Sequence, residues 1–425
     1  MTTDPKFTAD SLQRVVEQCV RRELTAGAEL PGAEEDLVEC GAVDSMAWVG
    51  VVRCIEAATG VDDFGDRMMD QPRSVRAMMA VLQEGSVARP RATIAGQASS
   101  SAGTAAALAG WGEAIGARRV AAAELEREFG LKAGKIATAA GIESVARVPE
   151  GEDEVALALR ACSAALSGAK AGIGDVDCLL ATSETHVGFP SLAARMHAAL
   201  LADERCAAVD VGGGCLGLVN ALHTARALLA AGAARRVLLV TADVHSRMLT
   251  PERVKGEFGA LFGDGASAFV LQSAGQADAG AHRLGEVMLG CDASAAAAIS
   301  VGLTGDHDIH LVFEGEALSR AALSKLEEII EDLELRTGCS RHDAAAFATH
   351  QPNPRLLRTL ARQMKVPPEK FPPVALTCGN LGSSTCGVAL ARALNLTAAD
   401  SGSRPIFVAS LGPGLLFGGL VISRE

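Results

Sequence analysis

The stretch Ala208-Val-Asp-Val-Gly-Gly-Gly-Cys-Leu-Gly-Leu-Val-Asn220 constrains the fold more than any other part of the chain. It reads as a buried apolar strand, a tight glycine turn, and a helix that opens at Cys215. A thiol at that point meets the positive end of the helix dipole, which favours thiolate. The glycines let another group approach the backbone closely. A small buried cysteine packing a strand–helix corner is the plainer reading, and the polar residues further along the chain argue against it.

From about Gly110 onward, apolar strands alternate with alanine-rich helices. Strands are expected over residues 176–181, 207–211, 237–241, 266–272, 346–350 and 406–410, and the helices between them predict a parallel sheet with crossovers. The pattern is weakly duplicated. The strand, glycine turn and small-residue helix of 208–222 are echoed at 375–390, and the strand pair 236–241 and 265–271 is echoed at 405–410 and 414–422. Two such halves should meet with their helix starts facing one cavity.

Three elements should converge there. Cys215 opens a helix in the first half, Phe347-Ala-Thr-His350-Gln-Pro-Asn353 ends a strand with a histidine, and Leu376-Thr-Cys-Gly379-Asn380-Leu-Gly-Ser-Ser384 mirrors the cysteine turn and presents Asn380. A lone His or Asn is more often a cap or a core residue. A Cys, a His and an Asn at matching turns of a duplicated fold make a nucleophile with two polar partners.

The first ninety residues differ in kind. They carry sixteen Asp and Glu against nine Lys and Arg. Apolar residues recur at helical spacing through Leu12, Val15, Val16 and Cys19, then over 46–58 and 75–82, with a long Gly-, Pro- and Glu-rich loop over 25–41. This predicts a small acidic helical bundle. Its second helix begins near Asp44 and Ser45, either of which could serve as an N-cap. Residues 87–109 lose both acidity and periodicity and read as a flexible linker.

Composition sets the remaining bounds. The chain has 425 residues, 49% hydrophobic and 21% charged, so it can bury a large core. Its formal net charge of −12 argues against nucleic acid as the main partner. The eleven cysteines show neither CxxC nor a regular framework, which predicts reduced thiols, no structural metal site and a cytoplasmic setting. No basic start followed by an apolar core marks a signal peptide, and no window is apolar enough to span a bilayer. Val211-Gly-Gly-Gly214 is a poor phosphate cradle, since no Lys-Ser/Thr follows it.

Two resemblances sharpen these expectations. Asp36-Leu-Val-Glu-Cys-Gly41-Ala-Val-Asp44-Ser45-Met46, followed by a helix and Gly60-Val-Asp-Asp63, resembles an acyl carrier protein. The resemblance implies that residues 1–86 form an all-α four-helix carrier bundle. It also implies that Ser45 carries covalent 4′-phosphopantetheine, placed there by a phosphopantetheinyl transferase. Residues 110–425 resemble the thiolase-fold condensing enzymes, most closely β-ketoacyl-carrier-protein synthase III. The match is carried by the Cys215 turn, Phe262-Gly-Asp264-Gly-Ala-Ser-Ala268, His350-Gln-Pro-Asn353, Gly379-Asn380 and Leu411-Gly-Pro-Gly414-Leu-Leu-Phe-Gly418.

This second resemblance implies a multidomain chain whose larger part is a duplicated, αβαβα-layered α/β fold, assembled as a homodimer through that domain. It implies that Cys215 takes an acyl group from an acyl-CoA or acyl-carrier thioester. His350 and Asn380 would then hold a malonyl thioester while carbon dioxide leaves, and the N–H groups of Cys215 and Gly414 would form an oxyanion hole. Phe189, in His186-Val-Gly-Phe-Pro190-Ser, resembles a residue that reaches across the dimer to close the acyl channel, and Arg355 resembles a carrier-docking position. Asp264 reads as a structural turn residue and Cys378 as packing. Lys135 stands where CoA-using members often have a Trp, and Ala139 where they have an Arg, which favours a carrier-bound donor. Two other activities stay open: acyl transfer to a thiol, hydroxyl or amine without condensation, and service as a non-catalytic partner subunit.

Overall fold

The computed structural model describes residues 8–83 and 106–424, apart from 26–27, 62–63, 70, 255, 278–279, 293–298, 304–308, 314 and 399–402. Side chains are not described at 45, 46, 66, 299–303, 309–313, 316, 317 and 398. The chain divides into two compact units.

The first unit holds helices α1 (Ala9–Glu23), α2 (Ser45–Thr59), α3 (Phe64–Arg67) and α4 (Val75–Gln83). Thr8 caps α1, its hydroxyl accepting from Ser11 N. Asp44 caps α2 through a 2.8 Å bond from Ala47 N to its Oδ1, so Ser45 is the first helical residue. Asp36 ties down the long loop, accepting from Val38 N, Glu39 N and Arg73 N. Val16, Val20, Leu37, Trp48, Val52, Ile55, Phe64 and Met78 close one small core. Cys19 of α1 and Cys54 of α2 are joined in a disulfide. This corrects the expectation of reduced thiols throughout. Cysteine spacing along the chain offers no hint of the pair, because it is made by two helix faces packing at a Cα separation of 5.6 Å.

The second unit holds all the described strands. In chain order these are β1 (Ala106–Ile115), β2 (Arg118–Ala121), β3 (Ser144–Arg147), β4 (Cys178–Thr182), β5 (Ala207–Asp210), β6 (Arg236–Val244), β7 (Asp264–Ser273), β8 (His282–Leu284), β9 (Met288–Cys291), β10 (Ile299–Leu303), β11 (Ile309–Phe313), β12 (Ala346–Thr349), β13 (Ile406–Gly412) and β14 (Leu416–Arg424). The helices that follow α4 are α5 (Ala122–Glu128), α6 (Glu154–Gly168), α7 (Leu192–Leu200), α8 (Gly217–Ala230), α9 (Gly315–Thr337), α10 (Pro354–Gln363), α11 (Ala375–Cys378) and α12 (Ser383–Ala398).

One large sheet runs β12-β13-β14-β8-β1-β7-β6-β4-β5, with β9 beside β14. It is mixed, which corrects the expected parallel sheet. The pairs β12/β13, β4/β5 and β4/β6 are parallel, whereas β6/β7, β1/β7 and β13/β14 are antiparallel. The two antiparallel pairs β6–β7 and β13–β14 are the duplicated strand pairs of the sequence. Strand β1 also corrects the expected linker boundary. Residues 106–109 are strand rather than linker, and residues 87–105 lie outside the described part. Ala106-Ala-Leu-Ala-Gly has low strand propensity and forms a strand only because β7 and β8 pair with it.

Strand periodicity sorts the core into layers. Val237, Leu239, Phe269 and Leu271 face one way, onto Leu218 and Leu222 of α8 and Val388 and Ala391 of α12. Leu238, Val240, Ala268 and Val270 face the other, onto Leu157 and Ala161 of α6 and Leu192 and Met196 of α7. Helices α8 and α12 therefore lie on the same face of the sheet, and the turns that start them are the two that carry Cys215 and Asn380.

Candidate active site

Cys215 sits in a 3-10 turn, Gly214–Leu216, just ahead of α8. The end of β13 positions it: Ser410 Oγ donates to the Cys215 carbonyl at 2.7 Å. The preceding residue on that strand holds the histidine, with His350 N donating to Ala409 O at 3.1 Å. Adjacent positions of one strand thus fix the backbones of Cys215 and His350. Gly414 follows two residues after β13 in an αL conformation (φ 79°). Its neighbour Pro413 packs so closely on the cysteine turn that a Cβ on Gly214 (φ 56°) would lie 2.6 Å from the Pro413 ring.

Asn380 is buried between two segments of the expected motif. Its backbone N donates to Leu261 O, and its carbonyl accepts from Gly263 N. Its side-chain Oδ1 accepts from Gly382 N at 3.0 Å and from Thr385 Oγ1 at 3.1 Å. With Oδ1 committed, Nδ2 is the end of the amide left to donate. Asp264 is fully buried and accepts from Val148 N, Ser246 N and Ser246 Oγ, the bonding pattern of a residue that joins loops. Cys378 is buried in the core with α12.

Sequence reasoning missed a polar cluster around the cysteine. Glu184, in the loop after β4, lies beside Cys215 with its side chain 17% exposed. Its Oε2 is 3.6 Å from His245 Nε2, an ion-pair distance longer than a hydrogen bond. His245 is 2% exposed, and its Nδ1 lies 3.0 Å from Gly263 O. Asp243, at the end of β6, accepts from Glu184 N, Ser183 Oγ, Ser383 Oγ, Ser384 N and Ser384 Oγ, and so ties the Glu184 loop to the start of α12. A close reading of Thr182-Ser-Glu-Thr-His186 could have raised Glu184, since a carboxylate directly after a buried parallel strand is placed at the same sheet edge as the cysteine turn.

The electrostatics follow from that packing. Burial would raise the Glu184 carboxyl, but the facing His245 outweighs it and holds the group below the usual carboxylate value. Burial would lower His245, but Glu184 and Asp243 outweigh it and hold the imidazole above its usual value. His350 is pushed by burial down to about 4, with His245 adding to the shift and Glu184 opposing it. Burial pushes Asp243 up to about 6, against the pull of His245. Burial, and then the Glu184 carboxylate, push the Cys215 thiol well above its ordinary range. This corrects the expected thiolate: an adjacent anion in a low-dielectric pocket outweighs a helix dipole that begins one turn later.

Phe189 is 99% exposed on the loop before α7. Arg355 lies on α10, with Nη1 3.4 Å from Ala139 O. Arg358 and Arg362 follow it at three- and seven-residue spacing on the same helix face. Lys135 opens a π-helical turn, Lys135–Ala140, and pairs with Glu257 at 2.6 Å. The Ser45 side chain is outside the described residues. Among the described residues no group of three or more His, Cys, Asp or Glu is placed to hold a metal ion, and no helix is long and apolar enough to cross a membrane.

Comparison with known proteins places this arrangement. Residues 209–293 match the family model 3-oxoacyl-[acyl-carrier-protein (ACP)] synthase III, and residues 335–424 match the model of its C-terminal part. The β-ketoacyl-[acyl-carrier-protein] synthase III of Rhodobacter capsulatus is 30% identical over 325 residues, covering 75% of this chain and 98% of that enzyme. Among solved structures, 3-oxoacyl-(acyl carrier protein) synthase III of Pseudomonas aeruginosa aligns with a TM-score of 0.66 at 25% identity, over 75% of this chain and 98% of that one. The priming β-ketosynthase of the R1128 polyketide biosynthetic pathway shares the fold, with a TM-score of 0.67 at 24% identity over 76% of this chain and 96% of that one. The layered α/β part of the chain is thiolase-like, and the protein belongs to the β-ketoacyl-acyl-carrier-protein synthase III family of condensing acyltransferases.

Proposed function

We propose that the protein condenses an acyl group held on Cys215 with a malonyl thioester by decarboxylative Claisen chemistry, and that residues 1–86 are an acyl carrier domain bearing 4′-phosphopantetheine on Ser45. One observation carries the condensing reading. Adjacent residues of β13 hold the backbones of Cys215 and His350, while an Asn380 amide with its oxygen committed has Nδ2 to offer. Simple acyl transfer has no need for that donor. Decarboxylation does, because negative charge builds on the thioester oxygen as carbon dioxide leaves.

In the first half-reaction the Cys215 sulfur attacks the acyl thioester, and the N–H groups of Cys215 and Gly414 stabilise the oxyanion. In the second, His350 donates a hydrogen bond to the malonyl thioester oxygen as a neutral imidazole, consistent with its lowered proton affinity. Asn380 Nδ2 donates alongside it. The enolate carbon then attacks the acyl-cysteine carbonyl, and the Cys215 thiolate leaves.

Support for the carrier comes from the helical N-terminal unit, the Asp44 cap that starts α2 at Ser45, and the acidic balance of the first ninety residues. The Arg355, Arg358 and Arg362 face of α10 is the complementary docking surface for an acidic carrier. Lys135, salt-bridged to Glu257 at the position where CoA-using members of the resembled family often have a Trp, favours a carrier-bound donor. Phe189 closes the acyl channel of a second copy in a homodimer. The product belongs to fatty-acyl or polyketide-type biosynthesis.

The test is intact-protein mass spectrometry after incubation with a phosphopantetheinyl transferase, CoA, and a panel of acyl and malonyl thioesters. A phosphopantetheine adduct at Ser45, an acyl adduct at Cys215 and carbon dioxide release on adding malonyl carrier are the expected results. Acylation and onward transfer with no decarboxylation from any extender would replace the reading with acyl transfer.

A further inference from the structure

The condensation just described makes no use of Glu184, yet Glu184 is the carboxylate that stands at the nucleophile. Its placement is over-determined. Asp243 Oδ1 accepts from the Glu184 backbone N at 2.6 Å, and Ser183 Oγ accepts from Thr185 N and His186 N, which fixes the turn. The carboxylate then lies between two glycines. A Cβ on Gly214, next to Cys215, would lie 3.7 Å from Oε1, and a Cβ on Gly382, two residues after Asn380, would lie 2.8 Å from Oε2. His245 Nε2 faces Oε2 at 3.6 Å, with the ring held by Gly263 O at Nδ1 and by Phe262 at a centroid distance of 4.6 Å. Oε1 is buried and, among the described residues, has no hydrogen-bond partner. A buried carboxylate oxygen without a partner is costly unless it has work to do, and the nearest chemistry is the Cys215 thiol.

We propose that Glu184 is the general base that removes the Cys215 proton during acyl loading, with His245 as the positioning residue that holds its second oxygen. The proposal rests on Cys215 being the acylated residue, as above. The thiol S–H bond breaks as the S–C bond to the thioester carbonyl forms, and the proton passes to Glu184 Oε1. When the tetrahedral intermediate collapses, the bond from the carbonyl carbon to the pantetheine sulfur breaks. The departing thiolate takes the proton from Glu184, so the carboxylate is regenerated and no other reactant is consumed.

This arrangement explains why a nucleophile can tolerate a neighbouring anion. Burial and then the neighbouring carboxylate keep the resting thiol protonated, and that carboxylate is also the acceptor that takes its proton once an electrophile is bound. A resting thiol of this kind resists stray alkylation and oxidation, which require thiolate.

The experiment compares the full chain with Glu184→Gln and Glu184→Asp by two readouts. One is iodoacetamide alkylation of Cys215 against pH, mapped by peptide mass spectrometry. The other is single-turnover acylation of Cys215 from an acyl-thioester panel. With Gln the alkylation profile should move to lower pH, raising the rate at pH 7 about tenfold, while acylation should slow by about 100-fold. With Asp the alkylation profile should stay near that of the parent, and acylation should be partly restored. Cys162 and Cys386, fully buried, should stay protected in both variants, which separates the effect from unfolding.

Acylation at the parental rate in Glu184→Gln overturns the proposal, as does an unmoved alkylation profile. If Cys215 of the parent accepts no acyl group from any donor, the condensing reading and this base assignment fall together. If it does accept one, only the Glu184 result bears on the base.

Discussion

Thr385 Oγ1 donates to Asn380 Oδ1 at 3.1 Å, and this bond, with that from Gly382 N, decides which end of the amide is free. Asn and Gln amides can turn over to suit their partners, so an acceptor that is already satisfied twice orients the donor end. Asn380→Ala should therefore leave acylation of Cys215 within about threefold of the parent while slowing malonyl decarboxylation by about 100-fold or more. Single-turnover acylation and carbon dioxide release, measured on the same preparation, separate the two steps. Equal loss in both would show that Asn380 acts on the nucleophile instead.

His350 makes stability depend on pH in a direction that can be worked out. Its folded-state value of about 4 lies below the ordinary 6.5. Below pH 6.5 the unfolded chain gains a proton that the folded chain refuses until about pH 4, so stability falls as the pH drops through that window. Between pH 7 and pH 5 the loss from this one group is about 2 kcal/mol. Asp243, raised to about 6 from 3.8, works the opposite way over an overlapping range. The clean measurement is thus a difference. Urea unfolding of the parent and of His350→Gln at both pH values should show the gap shifting by about 2 kcal/mol in favour of the variant on acidification. A constant gap would mean that the folded state protonates His350 as readily as the unfolded chain does.

The turns that carry Cys215, His350 and Asn380 were legible in the sequence because each has a recognisable local pattern. Cys215 follows three glycines, His350 ends a strand as His-Gln-Pro-Asn, and Asn380 follows a glycine in the echo of the cysteine turn. The mixed sheet was not legible. Strand β1 is Ala- and Gly-rich and takes strand form from β7 and β8 rather than from its own propensity. The protonation state of Cys215 was misread for a similar reason. A helix start is visible in sequence, whereas a carboxylate thirty-one positions earlier, brought in by the loop after β4, is not. Thus local turns could be read, and charges brought together by topology could not.

Gly382 and Gly414 share left-handed backbone angles but differ in their surroundings, and the contrast makes a prediction. A Cβ on Gly382 (φ 58°) would meet His245 Cε1 at 2.6 Å and Glu184 Oε2 at 2.8 Å, whereas a Cβ on Gly414 (φ 79°) would meet nothing within 4 Å among the described residues. Gly414→Ala should cost only the backbone term, about 1 kcal/mol. Gly382→Ala adds displacement of the His245–Glu184 pair and should cost about 2–3 kcal/mol. It should also shift the pH profile of Cys215 alkylation, which Gly414→Ala should leave in place. Thermal unfolding and iodoacetamide kinetics on the two variants check both parts.

The Cys19–Cys54 disulfide joins α1 and α2, both of which contribute to the N-terminal unit's own core. It closes a loop with a sequence separation of 35, which on loop-closure grounds stabilises the folded unit by about 3–4 kcal/mol. The two helices also bury Val16, Val20, Trp48 and Ile55 against each other and their neighbours, so the fold has apolar support that survives reduction. Reduction, or the paired substitution Cys19→Ser and Cys54→Ser, should lower the unfolding midpoint of the N-terminal unit and leave the synthase transition unchanged. Hydrogen exchange resolved by peptide distinguishes the units: amides of α1 and α2 should exchange faster after reduction, and those of α8 and α12 should not. Faster exchange in α8 as well would mean that the two units unfold as one.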